Sequence, residues 1–120
     1  MPSPSIPKNM RQQGQAGEDA ALAWLQQQGL TLIRRNFRCR MGEIDLIMQD
    51  GRTLVFVEVR QRASRGFGGA AASITRTKQL RLIKTAQLFL QKLNTTPASR
   101  FDAIALDGGK ITWLKNIIET

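Results

Sequence analysis

The stretch from Gly42 to Arg62, GEIDLIMQDGRTLVFVEVRQR, constrains this chain more than any other. Alternation predicts Glu43, Asp45 and Ile47 on one side of an extended segment and Ile44, Leu46 and Met48 on the other, so that two carboxylates share a face. Asp50-Gly51 then offers a dipeptide that tolerates positive φ, and Leu54 to Val59 is a β-branched and aromatic run. Together these predict a hairpin. Val55, Val57 and Val59 fill one face of its second strand, and Glu58 and Arg60 project from the other. Both strands are apolar enough to be buried, yet they carry charge. A buried carboxylate must be ion-paired, solvated in a cleft or bound to a cation.

If a cation is bound, composition narrows its nature. The chain has no histidine and one cysteine, Cys39, which excludes an intrachain disulfide, a thiolate zinc cluster and the commonest general base. Oxygen ligands remain, and they suit Mg²⁺ or Mn²⁺. Cys39 has no catalytic base near it in sequence and reads as inert. Lysine and arginine number 18 against 9 acidic residues, a net charge of +9, so the chain should be drawn to polyanions, nucleic acid first. Four of the nine acids, Glu43, Asp45, Asp50 and Glu58, fall in one short window of this cationic chain. Acid concentrated in a basic field points to a metal site facing phosphate.

At 120 residues the chain should form one domain, over residues 10–120, behind a Pro- and Ser-rich mobile tail at 1–9. No apolar run approaches the roughly 20 residues of a membrane span, and the start MPSPSIPKNMRQQ lacks a secretory apolar core. The cytoplasm is the expected compartment, with no membrane partner.

Helical periodicity runs from about Met10 to Gln28, with Gly29 as C-cap. Glu18 falls on the stripe of Ala21, Leu22 and Leu25, either favoured by the helix N-terminal dipole or turned to a cleft. Trp24 reads as core. Leu30 to Arg40 reads as a strand weakening near Asn36, fringed by Arg34, Arg35, Arg38 and Arg40. These arginines either guard a sheet edge or contact phosphate. Gln61 to Ala72, a Gly-rich segment with Arg62 and Arg65, is a connector or a basic clamp, without a P-loop signature.

Ser73 or Thr75 caps a helix running to about Leu93, with Leu82, Ile83, Ala86, Phe89, Leu90 and Leu93 on its apolar side. Lys78, Arg81, Lys84 and Lys92 fall broadly opposite, as a solvated face or a nucleic-acid surface. Arg100 to Leu106 and Lys110 to Leu114 predict a second hairpin through Asp107-Gly108-Gly109, with Trp113 in the core and Asp102 ion-paired to a nearby arginine. The predicted fold is α/β, a central mixed sheet flanked by helices in the order α-β-β-β-α-β-β.

Asp45, twelve intervening residues and then Glu58-Val59-Arg60 resemble the D…(D/E)xK signature of the restriction-endonuclease-like nuclease superfamily. The preceding helix with Glu18 is similar to the acidic first helix of archaeal Holliday junction resolvases. More specifically, GEIDLI with VFVEVR, the basic TRTKQ at Thr75 to Gln79 and RFD at Arg100 to Asp102 resemble the bacterial YraN-like family of uncharacterised proteins, over about Gln15 to Leu114.

The resemblance implies a restriction-endonuclease-like core. It also implies a Mg²⁺ or Mn²⁺ ion held by Asp45, Glu58 and the Val59 carbonyl, with Glu18 as an auxiliary acid, and phosphodiester hydrolysis of branched or structured DNA, DNA being the expected substrate over RNA. Arg38, Arg40, Arg62, Arg65, Arg76, Lys78, Arg81 and Lys84 are the expected nucleic-acid contacts. A homodimer is implied if a two-fold junction is the substrate. The sequence departs from the motif at Arg60, where lysine is expected. A guanidinium stays charged, so Arg60 can orient or stabilise but not act as a base. The other reading is a catalytically inactive nucleic-acid-binding module on the same fold.

Overall fold

The computed structural model describes residues 10–62 and 74–118, with side chains from 14 to 61 and from 74 to 118. The elements are α1 (Met10–Gln27), β1 (Thr31–Cys39), β2 (Gly42–Asp50), β3 (Thr53–Arg62), α2 (Arg76–Gln91), β4 (Ser99–Asp107) and β5 (Lys110–Leu114), the order expected from sequence. The expected tail at 1–9 and the segment with Arg65 lie outside the described residues, as does the side chain of Arg62.

The five strands lie in the order β1-β2-β3-β4-β5. β1, β2 and β3 are an antiparallel meander, β4 returns parallel to β3 after α2, and β5 pairs antiparallel with β4. Only β3–β4 needs a crossover, and α2 supplies it. The three hairpins, β1–β2, β2–β3 and β4–β5, have two-residue loops. Gly51 (φ 64) opens the β2–β3 loop, and Gly108 and Gly109 (φ 60 and 85) form the β4–β5 loop, where two successive positive φ values favour glycine.

Helix ends follow local chemistry. Gly29, at φ 101, donates its N–H to Gln26 O at 3.0 Å, and Leu30 donates to Leu25 O at 3.1 Å. That is a Schellman end to α1. Thr75 caps α2, its Oγ1 accepting from the Lys78 N–H at 3.2 Å. α2 ends at Gln91, so Leu93 lies past the helix and is exposed rather than on its apolar side.

Each helix seals one face of the sheet. Leu82, Ala86 and Phe89 of α2 pack on Phe37, Ile44, Ile47, Leu54, Phe56 and Phe101. Ala21 and Leu25 of α1 pack on Leu46, Met48, Val55, Val57 and Ile104. Trp24 and Trp113 meet edge to face at 5.8 Å beside this second core.

These two cores correct the alternation expected for β2. Ile44 lies on the α2 side while Leu46 and Met48 lie on the α1 side, so the strand changes face at Asp45. β1 does the same opposite it. Arg35 reaches acids on α1, whereas Phe37 lies in the α2 core. Between them Asn36 holds φ at 51, a left-handed conformation that asparagine tolerates better than most residues. Strict period-two pairing is therefore broken on both strands at the same level.

Candidate active site

β2 and β3 pair from Asp50↔Thr53 as far as Leu46↔Val57, and there the ladder stops. Beyond it Asp45 Oδ2 accepts the Val59 N–H at 2.8 Å, a side chain taking the place of a strand carbonyl. The opening so created is a cleft of about 420 Å³ lined by Glu18, Glu43, Asp45, Glu58, Val59, Arg60 and Lys78, with Arg81 at its edge. α1 forms one wall. Gly17 is buried in that wall, where a Cβ would stand 3.0 Å from a Leu106 methyl and 3.1 Å from Gln61 Oε1, so a larger residue would require those side chains to shift. The next residue, Glu18, lines the cleft. It sits mid-helix, where the N-terminal dipole has faded, so the dipole does not account for it.

One carboxylate oxygen from each of Glu18, Glu43 and Asp45 lies within 4.8 Å of the others. Burial, then the Glu58, Glu18 and Glu43 charges, push Asp45 up to about 8 against the pull of the Val59 N–H. A group of hard carboxylate oxygens that repel one another suits Mg²⁺ or Mn²⁺, so the donor set fits the ion implied by the resemblance. Glu43, which shares that cluster, was not among the expected ligands. Its signal was its place two residues before Asp45.

Glu58 stands somewhat apart. It is 7% exposed, and its Oε2 lies 3.2 Å from Arg60 Nη1 and 3.6 Å from Lys78 Nζ. Burial raises its pKa even though both cations oppose the shift. Lys78, expected on the outer face of α2, instead reaches into the cleft from the first helical turn. At about 100° per residue Lys78 falls within about 40° of Leu82 and Phe89, which face the sheet, so its outer-face expectation is corrected: it lies on the inward side of α2, where Glu58 stands.

β1 supplies the other counter-groups. Arg35 Nη2 lies 3.5 Å from Glu18 Oε1 and 2.7 Å from Asp19 Oδ1, and Arg38 Nε lies 3.3 Å from Glu43 Oε2. Arg40, Arg81 and Lys84 line a second, shallower groove with Cys39, Met41 and Gly42, and this groove shares Gly42 and Arg81 with the acidic cleft. Arg76 is exposed at the start of α2. Burial raises the Cys39 thiol, but contacts with Thr85, Met41 and Gly42 and the Lys92 charge outweigh it and leave the thiol below its ordinary range.

Asp102 belongs elsewhere. Fully buried, it accepts from Arg100 Nε at 3.1 Å, Trp113 Nε1 at 2.9 Å and the Asn116 N–H at 2.8 Å. It is the ion-paired structural acid expected from sequence.

Residues 17–106 match the model of a family described as "Uncharacterised protein family UPF0102". The chain belongs to the UPF0102 family. It is 62% identical to a UPF0102 protein of Herminiimonas arsenicoxydans, over 95% of this chain and 93% of that one. With a UPF0102 protein of Janthinobacterium sp. (strain Marseille) it shares 64% identity, over 88% of this chain and 86% of the other. A UPF0102 protein of Nitrosomonas eutropha is 51% identical, over 91% and 95% respectively. The matched UPF0102 span includes every carboxylate of the cleft, from Glu18 in α1 to Glu58 in β3. The YraN-like resemblance read from GEIDLI and VFVEVR named this same family. Among the described residues, no helix is long and apolar enough to cross a membrane.

Proposed function

We propose that this UPF0102 protein binds nucleic acid and cleaves it as a Mg²⁺- or Mn²⁺-dependent endonuclease acting on branched or structured DNA. The observation that carries this reading is the gathering of Glu18, Glu43, Asp45 and Glu58 in one cleft where β2 and β3 part, beside a basic groove. Glu18, Glu43 and Asp45 would hold the ion, with Glu58 and the Val59 carbonyl beside them. When bound, such an ion neutralises charge on a scissile phosphate and lowers the pKa of a water.

The chain's own residues do the rest. The Val59 N–H fixes the Asp45 carboxylate, and Arg60 and Lys78 together hold Glu58. Two cations at the cleft can also meet the charge that develops on a phosphate under attack. Arg60 orients and stabilises without exchanging a proton. Arg40, Arg81 and Lys84 track the backbone leading to the cleft. On a two-fold symmetric junction two copies would act as a pair.

One contact favours a second reading. Glu58 is claimed by both Arg60 and Lys78, as in a module that keeps the fold and binds nucleic acid without cutting it. Calorimetric titration of Mn²⁺ into wild type, Asp45→Ala and Arg60→Lys separates the two. Wild-type binding lost in Asp45→Ala, with cleavage of a four-way junction that is also lost, supports the enzyme. Absence of binding in wild type, with its appearance in Arg60→Lys, supports the module.

A further inference from the structure

We propose that Asn36 is the positioning residue of this cleft: its side-chain amide ties Glu18 of α1 to Glu43 of β2 and so sets the spacing at which carboxylates meet a divalent cation. The proposal rests on the cation-dependent reading above and goes beyond it, because nothing in a D…(D/E)xK pattern assigns a role to the strand that precedes the acids.

Three observations converge on Asn36. The hydrogen-bonding groups around its amide are satisfied when Nδ2 faces the carboxylates and Oδ1 faces away. In that orientation Nδ2 lies 3.1 Å from Glu43 Oε2 and 3.2 and 3.3 Å from the two oxygens of Glu18. One NH₂ group has two hydrogens, and here each finds a different acid on a different element. Its backbone is the second observation. At φ 51 it sits at the local change of face, between Arg35, which reaches α1, and Phe37, which lies in the α2 core, and its amide meets Glu18 of α1 and Glu43 of β2. The third is that the cluster is crowded with like charge. Without a donor between them Glu18 and Glu43 would swing apart, since Arg35 draws Glu18 towards Asp19 and Arg38 draws Glu43 towards solvent. Carboxylates retain free lone pairs after accepting one hydrogen bond, so the amide can hold both acids while they turn their remaining oxygens to an ion.

Asn36→Gly isolates the amide from the backbone, because glycine adopts φ 51 without strain. In calorimetric titration of Mn²⁺ into the full-length protein, Asn36→Gly should weaken binding about tenfold or more, the usual effect of removing a group that orients a ligand. Circular dichroism should show its fold unchanged. Equal affinity, within about twofold, would overturn the role of Asn36 while leaving the cation site standing. No Mn²⁺ binding by wild type would overturn both readings together. A measurement on wild type alone guards against a variant that does not fold. The side-chain amide signals of Asn36, assigned by triple-resonance NMR, should shift on the same Mg²⁺ titration curve as the backbone amide of Val59. Saturable binding at Val59 with stationary Asn36 side-chain signals would count against the proposal.

Discussion

Asp45 Oδ2 accepts the Val59 backbone N–H at 2.8 Å, one strand away and beyond the last pair of the β2–β3 ladder. The bond bridges the parted strands and fixes the carboxylate without neutralising it. Asp45→Ala removes a proposed metal ligand and orphans the Val59 N–H, while leaving the basic groove untouched. The expected outcome is loss of Mn²⁺ binding in calorimetry, with affinity for four-way-junction DNA in EDTA within about twofold of wild type. Retained Mn²⁺ binding would place the ion elsewhere.

The same carboxylate makes the metal-free protein sensitive to pH. Burial and the neighbouring acids hold Asp45 near 8, above its ordinary 3.8, so the folded state favours the protonated form. A raised folded pKa contributes stability that is complete below the unfolded value and is lost as pH rises through the folded one. In EDTA, Tm should therefore decline between about pH 5 and pH 8 in wild type, and decline less in Asp45→Asn. Added Mg²⁺ should offset the wild-type decline at pH 8. Parallel Tm profiles for the two proteins would show that Asp45 is ionised at no cost.

Glu58 tests the pairing of the cleft's cations. Arg60→Met or Lys78→Met leaves the other cation in place and should cost about 1 kcal/mol each in urea denaturation, since both partners are partly exposed. The double variant leaves a buried carboxylate unpaired and should cost roughly 3–5 kcal/mol, more than the sum. Adding Glu58→Gln to the double variant should recover much of that loss. Simple additivity would mean that the two contacts act independently.

The elements were legible because each follows a local rule: the Gly29 C-cap, the Thr75 N-cap, the glycine turns at Gly51 and Gly108-Gly109, and the Val55-Val57-Val59 face. The acidic cleft was legible in part, because Asp45 and Glu58 lie on adjacent strands whatever their register. Its finer construction was hidden. Strict alternation misplaces Ile44, since the change of face at Asp45 coincides with a left-handed Asn36 on the neighbouring strand that no periodicity encodes. The outer-face expectation for Lys78 fails because its place around the α2 axis, beside Leu82 and Phe89, is on the sheet side of the helix.

Asp102 provides the contrast with the cleft acids. It is fully buried and shares its oxygens among Arg100, Trp113 and Asn116, so Asp102→Ala would leave an indole N–H and a backbone N–H without their acceptor and Arg100 with Asp50 alone, at 3.0 Å. The expected cost is about 3–5 kcal/mol in chemical denaturation. At temperatures where the variant stays folded, Mn²⁺ affinity should be unchanged. A selective loss of Mn²⁺ binding without loss of stability would move Asp102 into the functional site.

The basic residues should separate by what already holds them. Each protein–phosphate contact on B-DNA releases condensed counterions and adds about 0.9 to the slope of log K against log salt. Arg40, Arg81 and Lys84 line an open groove and are exposed, so each substitution to alanine should reduce that slope by about one. Arg38 is also exposed but already has Glu43 at 3.3 Å, and Lys78 has Glu58 at 3.6 Å. A cation partly neutralised by the protein has less charge to offer a phosphate, so Arg38→Ala and Lys78→Ala should change the slope by less. Fluorescence anisotropy with labelled junction DNA in EDTA, over a range of potassium chloride concentrations, measures all five variants on one scale. Equal reductions at all five positions would mean that the ion pairs open when DNA binds, and that the bound surface runs across the acidic cleft rather than along the groove beside it.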